Sequence, residues 1–193
     1  MRKVIMSLVI GLTGQVGVGK TFAADNLSTY FDFEYIDLDK IGHLLLEKNE
    51  IKQKLIQEFG DSILLNNKVN RKVLGDIVFS DTNKLLQLNL IVHPLIKREV
   101  SLIIKSSPKA LILIVGALLE EIKLTSFCDN IILINAAPQQ RDRILGDKKK
   151  IKKYQRNIEY YKKNADYIIL NNYSKEFIDK LVNLVENLIR EQS

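Results

Sequence analysis

Cysteine, histidine and proline are scarce in this chain, and no apolar run is long. A single cysteine, Cys128, excludes an internal disulfide; beside the apolar run NIILIN it reads as a buried thiol in a reducing compartment. The only histidines, His43 and His93, stand too far apart to build a zinc-type cluster from sequence neighbours, so a structural metal is not expected. The three prolines, Pro94, Pro108 and Pro138, are scattered, and no Gly/Ser-rich or Pro-rich stretch marks a linker. No segment approaches the roughly 18 to 20 apolar residues that a membrane-spanning helix needs. The N-terminal MRKVIMSLVIGL places Arg2 and Lys3 before an apolar segment, as a signal peptide would. No small-residue cleavage site follows, and the same run serves as a first buried strand. A cytoplasmic protein without membrane partners is expected.

What is present is enough apolar residue for one sizeable core: 46% of 193 residues. A net charge of +6 suits nucleic acid, an anionic membrane or a polyanionic small molecule, and its sign alone does not choose among them. Five strand-length apolar runs recur, at 8–12 (LVIGL), 34–39 (EYIDLD), 110–115 (ALILIV), 130–135 (NIILIN) and 166–171 (DYIILN). They are continuous rather than alternating, as in strands covered on both faces, and helix-like stretches separate them. The pattern is an α/β fold with a five-stranded parallel sheet and helices on both faces. Two regions interrupt the alternation. Residues 40–108 form a long, mostly helical insertion suited to substrate recognition, and residues 141–163 are dense in charge, either a solvated helical face or a cationic lid over phosphates. In the last segment, Phe177, Leu181, Leu184 and Leu188 recur at helical spacing, a packing stripe.

Between the first strand and a helix-compatible run lies Gly14-Gln-Val-Gly-Val-Gly-Lys20-Thr21, a complete G-x-x-x-x-G-K-[ST] phosphate loop in its confirming context. Its glycines let backbone N–H groups converge on a phosphate, Lys20 supplies a point charge, and the Thr21 hydroxyl can ligate Mg2+. The candidate nucleotide-binding set is Gly14, Val16, Gly17, Val18, Gly19, Lys20, Thr21 and Phe22. The motif does not name the reaction. A GTPase would carry N-K-x-D, but Asn83-Lys84-Leu85-Leu86 lacks the aspartate, and Asp39-Lys40-Ile41-Gly42 only imitates a switch D-x-x-G. An ATP-driven motor would end its third strand in acids, whereas ALILIVGALLEE reaches its first carboxylate late, at Glu120. The second run, IDLD, leaves Asp37 and Asp39 at the strand edge where ligands sit in an open parallel sheet. A carboxylate there can take the proton of an acceptor hydroxyl during phosphoryl transfer, the reading favoured for Asp39; the alternative is a cap on the following helix, and one residue can do both.

Taken together, these segments resemble the dephospho-CoA kinases, which phosphorylate the ribose 3'-hydroxyl of dephospho-coenzyme A with ATP. GLTGQVGVGKT resembles the family's glycine-rich start and IDLDKIGHLLL its I-D-A-D segment. FGDSILLNNKVNRKVLGDIVF and LNLIVHPLI resemble its F-G to R-x-x-L-x-x-x-V-F stretch and its L-N-x-x-x-H-P-x-I motif. GALLE resembles P-L-L-x-E, and ADYIILNN resembles A-D-x-V-I-x-N-N. Departures include Gln15 and Val18 for a usual glycine and serine, Tyr173 for a turn glycine, Asp147 where a second lid arginine is common, and a shorter segment between Arg143 and Gln155.

The resemblance implies a single phosphate-loop kinase domain over residues 1–193, with a CoA-binding insertion at about 40–108 and a lid at about 141–163. It also implies ATP and Mg2+ as cofactors and dephospho-CoA as substrate. Asp39 would be the base, Lys20 and Arg143 would stabilise the transferring phosphoryl group, and Thr21 would hold the metal. Asn171 and Asn172 would lie near the adenine, with a turn cap as the alternative. Arg71, Lys72 and His93 fall in the substrate region, where helix packing or solvated charge is the alternative for each. Rival readings are another small-molecule kinase of this fold, such as one acting on nucleoside monophosphates, and a nucleotide-binding homologue with impaired catalysis. A nucleic-acid partner is not expected, because the KKKIKK run lacks aromatic interleaving apart from Tyr154.

Overall fold

The computed structural model describes residues 7–145 and 155–192. In chain order the elements are β1 (Leu8–Thr13), α1 (Lys20–Leu27), β2 (Glu34–Asp37), α2 (Leu38–Glu47), α3 (Asn49–Phe59), the short strands β3 (Leu64–Leu65) and β4 (Lys68–Val69), α4 (Arg71–Val78) and α5 (Thr82–Ser106). Then come β5 (Leu111–Val115), β6 (Asn130–Asn135), α6 (Pro138–Leu145), α7 (Ile158–Lys163), β7 (Tyr167–Leu170) and α8 (Lys175–Glu191). The described chain divides into two compact units, Met1–Asp37 with Ile104–Ser193, and Leu38–Ile103.

The first unit holds a five-stranded sheet in the order β2-β5-β1-β6-β7, every pairing parallel. Leaving β1, the chain crosses to one side to build β2 and β5, then to the other side for β6 and β7. The reversal leaves a crevice at the carboxyl end of β1, where open α/β sheets bind ligands. All six residues of β1 are buried. One face packs Leu8, Ile10, Leu12, Leu113, Ile132, Ile134 and Ile169 against Ala23, Ala24 and Leu27 of α1 and Phe177, Leu181, Val185 and Leu188 of α8. The other face carries Val9, Ile112, Ile114 and Leu133, with buried Leu119, Ile122 and Leu124 of the turns after β5 and Tyr161 of α7 on the same unit. Burying a Leu, Ile or Phe contributes about 1.5–3 kcal/mol each, so this two-sided layer dominates the unit's stability.

The second unit is helical, with one exception. Ile51 and Leu55 of α3, Ile63 and Leu74 and Val78 of α4 form its core, flanked by Leu85, Leu88, Ile91 and Leu95 of α5. β3 and β4 pair as a hairpin, Leu64 with Val69 and Leu65 with Lys68. Its two-residue tip, Asn66-Asn67, has φ of 50° and 61°, the left-handed pair that a type I' turn requires and asparagine tolerates. Lys52, almost wholly buried, donates to the Asn67 carbonyl and side-chain oxygens at 3.1 and 3.2 Å and so fastens the tip to α3. Asn70 caps α4 by accepting from the Lys72 and Val73 amides.

Two expectations change. The second strand ends at Asp37 rather than at residue 39, and Asp39 stands inside the first turn of α2. It is therefore not the residue before that helix, although a carboxylate in a first turn still complements the helix dipole. Of the expected lid, residues 146–154, including Asp147 and the lysines at 148–150, lie outside the described residues.

Candidate active site

The phosphate loop leaves β1 at Thr13 and enters α1 at Lys20. Gly14 has φ of 142°, and a Cβ there would collide with the Ile134 carbonyl; Gly19 has φ of 85°, and a Cβ would strike the Asn171 amide nitrogen. Both positions thus demand glycine for conformation and for space. Gly19 is also the residue preceding α1, and no side chain caps that helix. Its first amides, at Lys20, Thr21 and Phe22, form the positive end of the helix macrodipole and face the crevice side of the sheet, an anion-binding arrangement. The Lys20 ammonium lies back across the loop, donating to the carbonyls of Gly14 at 2.9 Å and Gln15 at 3.1 Å. Thr21 and Phe22 are exposed in the first turn of α1, whereas Val18 is fully buried and anchors the loop from below.

Asn171 has no exposed surface. Its side-chain nitrogen donates to the Val18 carbonyl at 2.9 Å, its oxygen accepts from the Tyr173 amide at 2.8 Å, and its own amide donates to Asn135 at 2.7 Å. A residue so placed braces the phosphate loop. Asn172 is exposed and accepts from the Ser174 amide and hydroxyl, an Asx turn leading into α8. Tyr173, in the left-handed region at φ 59°, reaches back to donate to the Gly17 carbonyl at 3.4 Å. Phe22 lies 5.3 Å from the Tyr173 ring, ring centre to ring centre. Burial raises the Tyr173 phenol above its ordinary pKa, so it stays a donor at neutral pH.

Arginine enters differently from the sequence expectation. Arg143 is exposed on α6, while Arg141, one helical turn before buried Leu145, lies on the phosphate loop. Its Nη1 donates to Gln15 Oε1 and its Nε to the Val16 carbonyl at 3.4 Å. Partial burial pulls its pKa below the usual guanidinium value, far too little to discharge it at neutral pH. Sequence reasoning passed over Arg141. The usable signal was its i,i+4 relation to the apolar Leu145, which assigns it to the inward face that Arg143, two residues on, cannot share. Gln155, likewise not anticipated as a site residue, accepts from the Val16 amide at 2.8 Å.

Beside these residues is a polar cluster. Glu121 Oε2 and the Tyr161 hydroxyl are buried with no hydrogen-bond partner among the described residues. Burial raises the Glu121 carboxyl, opposed by its own backbone amide and by Arg156, which approaches to 3.9 Å. Burial, with Glu121 adding to it, pushes the Tyr161 phenol up to about 12. Cys128 is inert for the same reason: burial and then the neighbouring Asp129 and Asp166 carboxylates raise its thiol to about 12.

Asp37 closes β2 in register with Val115, which in turn pairs with Leu12, so its carboxylate sits in the same row of the sheet as the start of the phosphate loop. Asp39, exposed, opens the second unit. In that unit Arg71 and Lys72 are exposed at the start of α4, bordering a groove of about 510 Å³ shared with the hairpin residues Leu65, Asn66, Lys68 and Val69. His93 is half-buried within α5, next to Pro94, and burial lowers its pKa, leaving the imidazole neutral at pH 7. Among the described residues no group of three His, Cys, Asp or Glu side chains could hold a metal.

A parallel sheet with a glycine-rich loop between its central strand and an uncapped helix defines the phosphate-loop nucleotide-binding class. The fold agrees with that of TT1252 from Thermus thermophilus, which superposes with a TM-score of 0.80 at 22% identity, covering 94% of this chain and 97% of that one. The family model for dephospho-CoA kinase (CoaE) matches residues 8–176. Curated relatives named dephospho-CoA kinase include that of Fusobacterium nucleatum, 36% identical over 185 residues, with 91% of this chain and 95% of the relative covered. That of Borrelia garinii subsp. bavariensis is 33% identical over 187 residues, with 90% of each covered. The chain belongs to the dephospho-CoA kinase family, whose members use ATP as substrate.

Proposed function

We propose that this protein transfers the γ-phosphoryl group of ATP to the 3'-hydroxyl of dephospho-CoA, giving coenzyme A and ADP. The observation that carries the reading is the complete, uncapped phosphate loop at the carboxyl edge of β1 in a chain of this family. The acceptor oxygen bonds to the γ-phosphorus as the bond to the β,γ-bridging oxygen breaks. ADP leaves with that electron pair, and the hydroxyl proton passes to Asp39. Loop amides from Gly17 to Phe22 and the Lys20 ammonium neutralise charge as it develops on the phosphate oxygens. Arg71 and Lys72 meet the anionic part of dephospho-CoA at the α4 groove, with neutral His93 as a hydrogen-bonding partner.

The Thr21 hydroxyl, exposed at the start of α1, is a hard oxygen ligand that fits Mg2+. Because the described protein groups form no metal cage of their own, Thr21 would share the ion with the triphosphate. Bound there, Mg2+ supplies charge neutralisation. No described helix is long and apolar enough to cross a membrane, and we place the reaction in the cytoplasm.

The test is incubation of the purified protein with MgATP and dephospho-CoA, reading coenzyme A by mass. Asp39→Asn should lower turnover by about 10²- to 10⁴-fold with MgATP affinity retained. Normal turnover by that variant would remove Asp39 from the role of base, and absence of product from the unaltered protein would refute the reaction.

A further inference from the structure

The phosphate loop is bonded at its first turn to two separate stretches of chain, and one side chain joins them. Gln15 accepts from Arg141 Nη1 through Oε1 and donates through Nε2 to the Arg156 carbonyl at 2.9 Å. Around that bridge, Arg141 Nε donates to the Val16 carbonyl and Gln155 Oε1 accepts from the Val16 amide. The backbone of α6 is pressed against the same turn: a Cβ at Gly17 would lie 3.3 Å from the Arg141 carbonyl and 3.0 Å from Leu145 Cγ. An arginine side chain carries rotamer freedom that a guanidinium must lose before it can serve a phosphate oxygen. Here two bonds, one from Nε and one from Nη1, fix the plane of the guanidinium against the loop, and Gln15 supplies one of them.

We infer that Gln15 is a positioning residue for nucleotide binding. It fastens the Arg141 guanidinium beside the phosphate loop, so that the remaining N–H donors of the fork meet the outer phosphates of ATP. The inference rests on the proposed use of ATP at this loop, and it assigns Arg141 to the phosphate oxygens where the sequence pointed to Arg143. A leucine at position 15 fills similar volume and keeps neither bond; a serine is smaller and reaches neither Arg141 nor the Arg156 carbonyl. The guanidinium then regains its rotamers, and only ligands with outer phosphates lose affinity.

The experiment is calorimetric titration of MgATP and of AMP into the intact protein and into Q15L, Q15S, R141A and the Q15L/R141A double variant. A hydrogen bond to a charged group predicts that Q15L and Q15S each weaken MgATP by roughly 10- to 100-fold. R141A weakens it at least as much, the double variant matches R141A alone, and AMP changes by less than about twofold throughout. Losses that multiply in the double variant, an equal loss for AMP, or unchanged MgATP affinity in Q15L and Q15S would overturn the inference. The readout needs no acceptor, so a protein that binds MgATP but forms no coenzyme A would refute the proposed reaction while leaving this coupling to be judged separately.

Discussion

Replacing Asn171 with alanine should damage fold and nucleotide binding together. The substitution deletes the bond to the Val18 carbonyl at 2.9 Å and the bond from the Tyr173 amide at 2.8 Å, while the backbone bond to Asn135 survives. Each lost bond removes about 1 kcal/mol net, and a buried carbonyl left without a partner beneath the fully buried Val18 adds about 1–3 kcal/mol. The sum is roughly 3–5 kcal/mol. For a chain of this size, at about 2–4 °C per kcal/mol, the melting temperature should fall by roughly 6–20 °C. The Tyr173 backbone, held in the left-handed region by the same amide, is then released, and its hydroxyl loses its place on Gly17. MgATP affinity should drop alongside stability. Asn171→Asp keeps the acceptor for Tyr173 but turns a carboxylate oxygen toward the Val18 carbonyl, so it should be no milder than alanine. Thermal unfolding followed by circular dichroism, paired with calorimetric titration of MgATP, checks both effects. A fall of less than about 3 °C in Asn171→Ala, or a large fall with unchanged MgATP affinity, would refute the view of Asn171 as the brace under the loop.

Gly14→Ala should abolish MgATP binding in the same titration, since its Cβ runs into the Ile134 carbonyl at a backbone angle alanine does not adopt. Glu121 has a raised pKa in the fold, so its burial costs nothing below the unfolded value near 4.5 and progressively more as pH rises through the folded value. Glu121→Gln should therefore melt higher than the unaltered protein at pH 8, with the gain vanishing at pH 4. His93 has a lowered pKa, so stability present above 6.5 is lost as pH falls through the folded value. Urea midpoints at pH 7.5 and 5.5 should show that loss, and His93→Gln should reduce it.

The sheet and the phosphate loop were legible because each is written in local chemistry. Continuous apolar runs have few destinations other than strands covered on both sides, and Gly14 and Gly19 are demanded by backbone angles that few other residues accept. The hairpin of β3 and β4 escaped because two-residue strands carry no periodicity, and Asn66-Asn67 signals a turn only once flanking strands are known. The end of β2 was misplaced by two residues, since IDLD suits both a strand end and a first helical turn. The contacts of Arg141 and Asn171 with the loop were not legible for a different reason: they follow from which way α6 and the β7–α8 turn pack on it, a long-range fact. Helix phase could have favoured Arg141 over Arg143 through Leu145. Nothing local distinguishes Asn171 as buried and Asn172 as exposed.

Cys128 packs beneath Gly11, where a Cβ would come within 2.9 Å of its sulfur. The chain's only sulfhydryl is thus packed, partly exposed, against the central strand with its proton held to about pH 12. Alkylating probes should pass it by at neutral pH, and peroxide should find little thiolate to attack. A cysteine substituted for an exposed residue such as Lys72 or Arg143 would consequently be the lone attachment point for a fluorophore, with the native residue left in place.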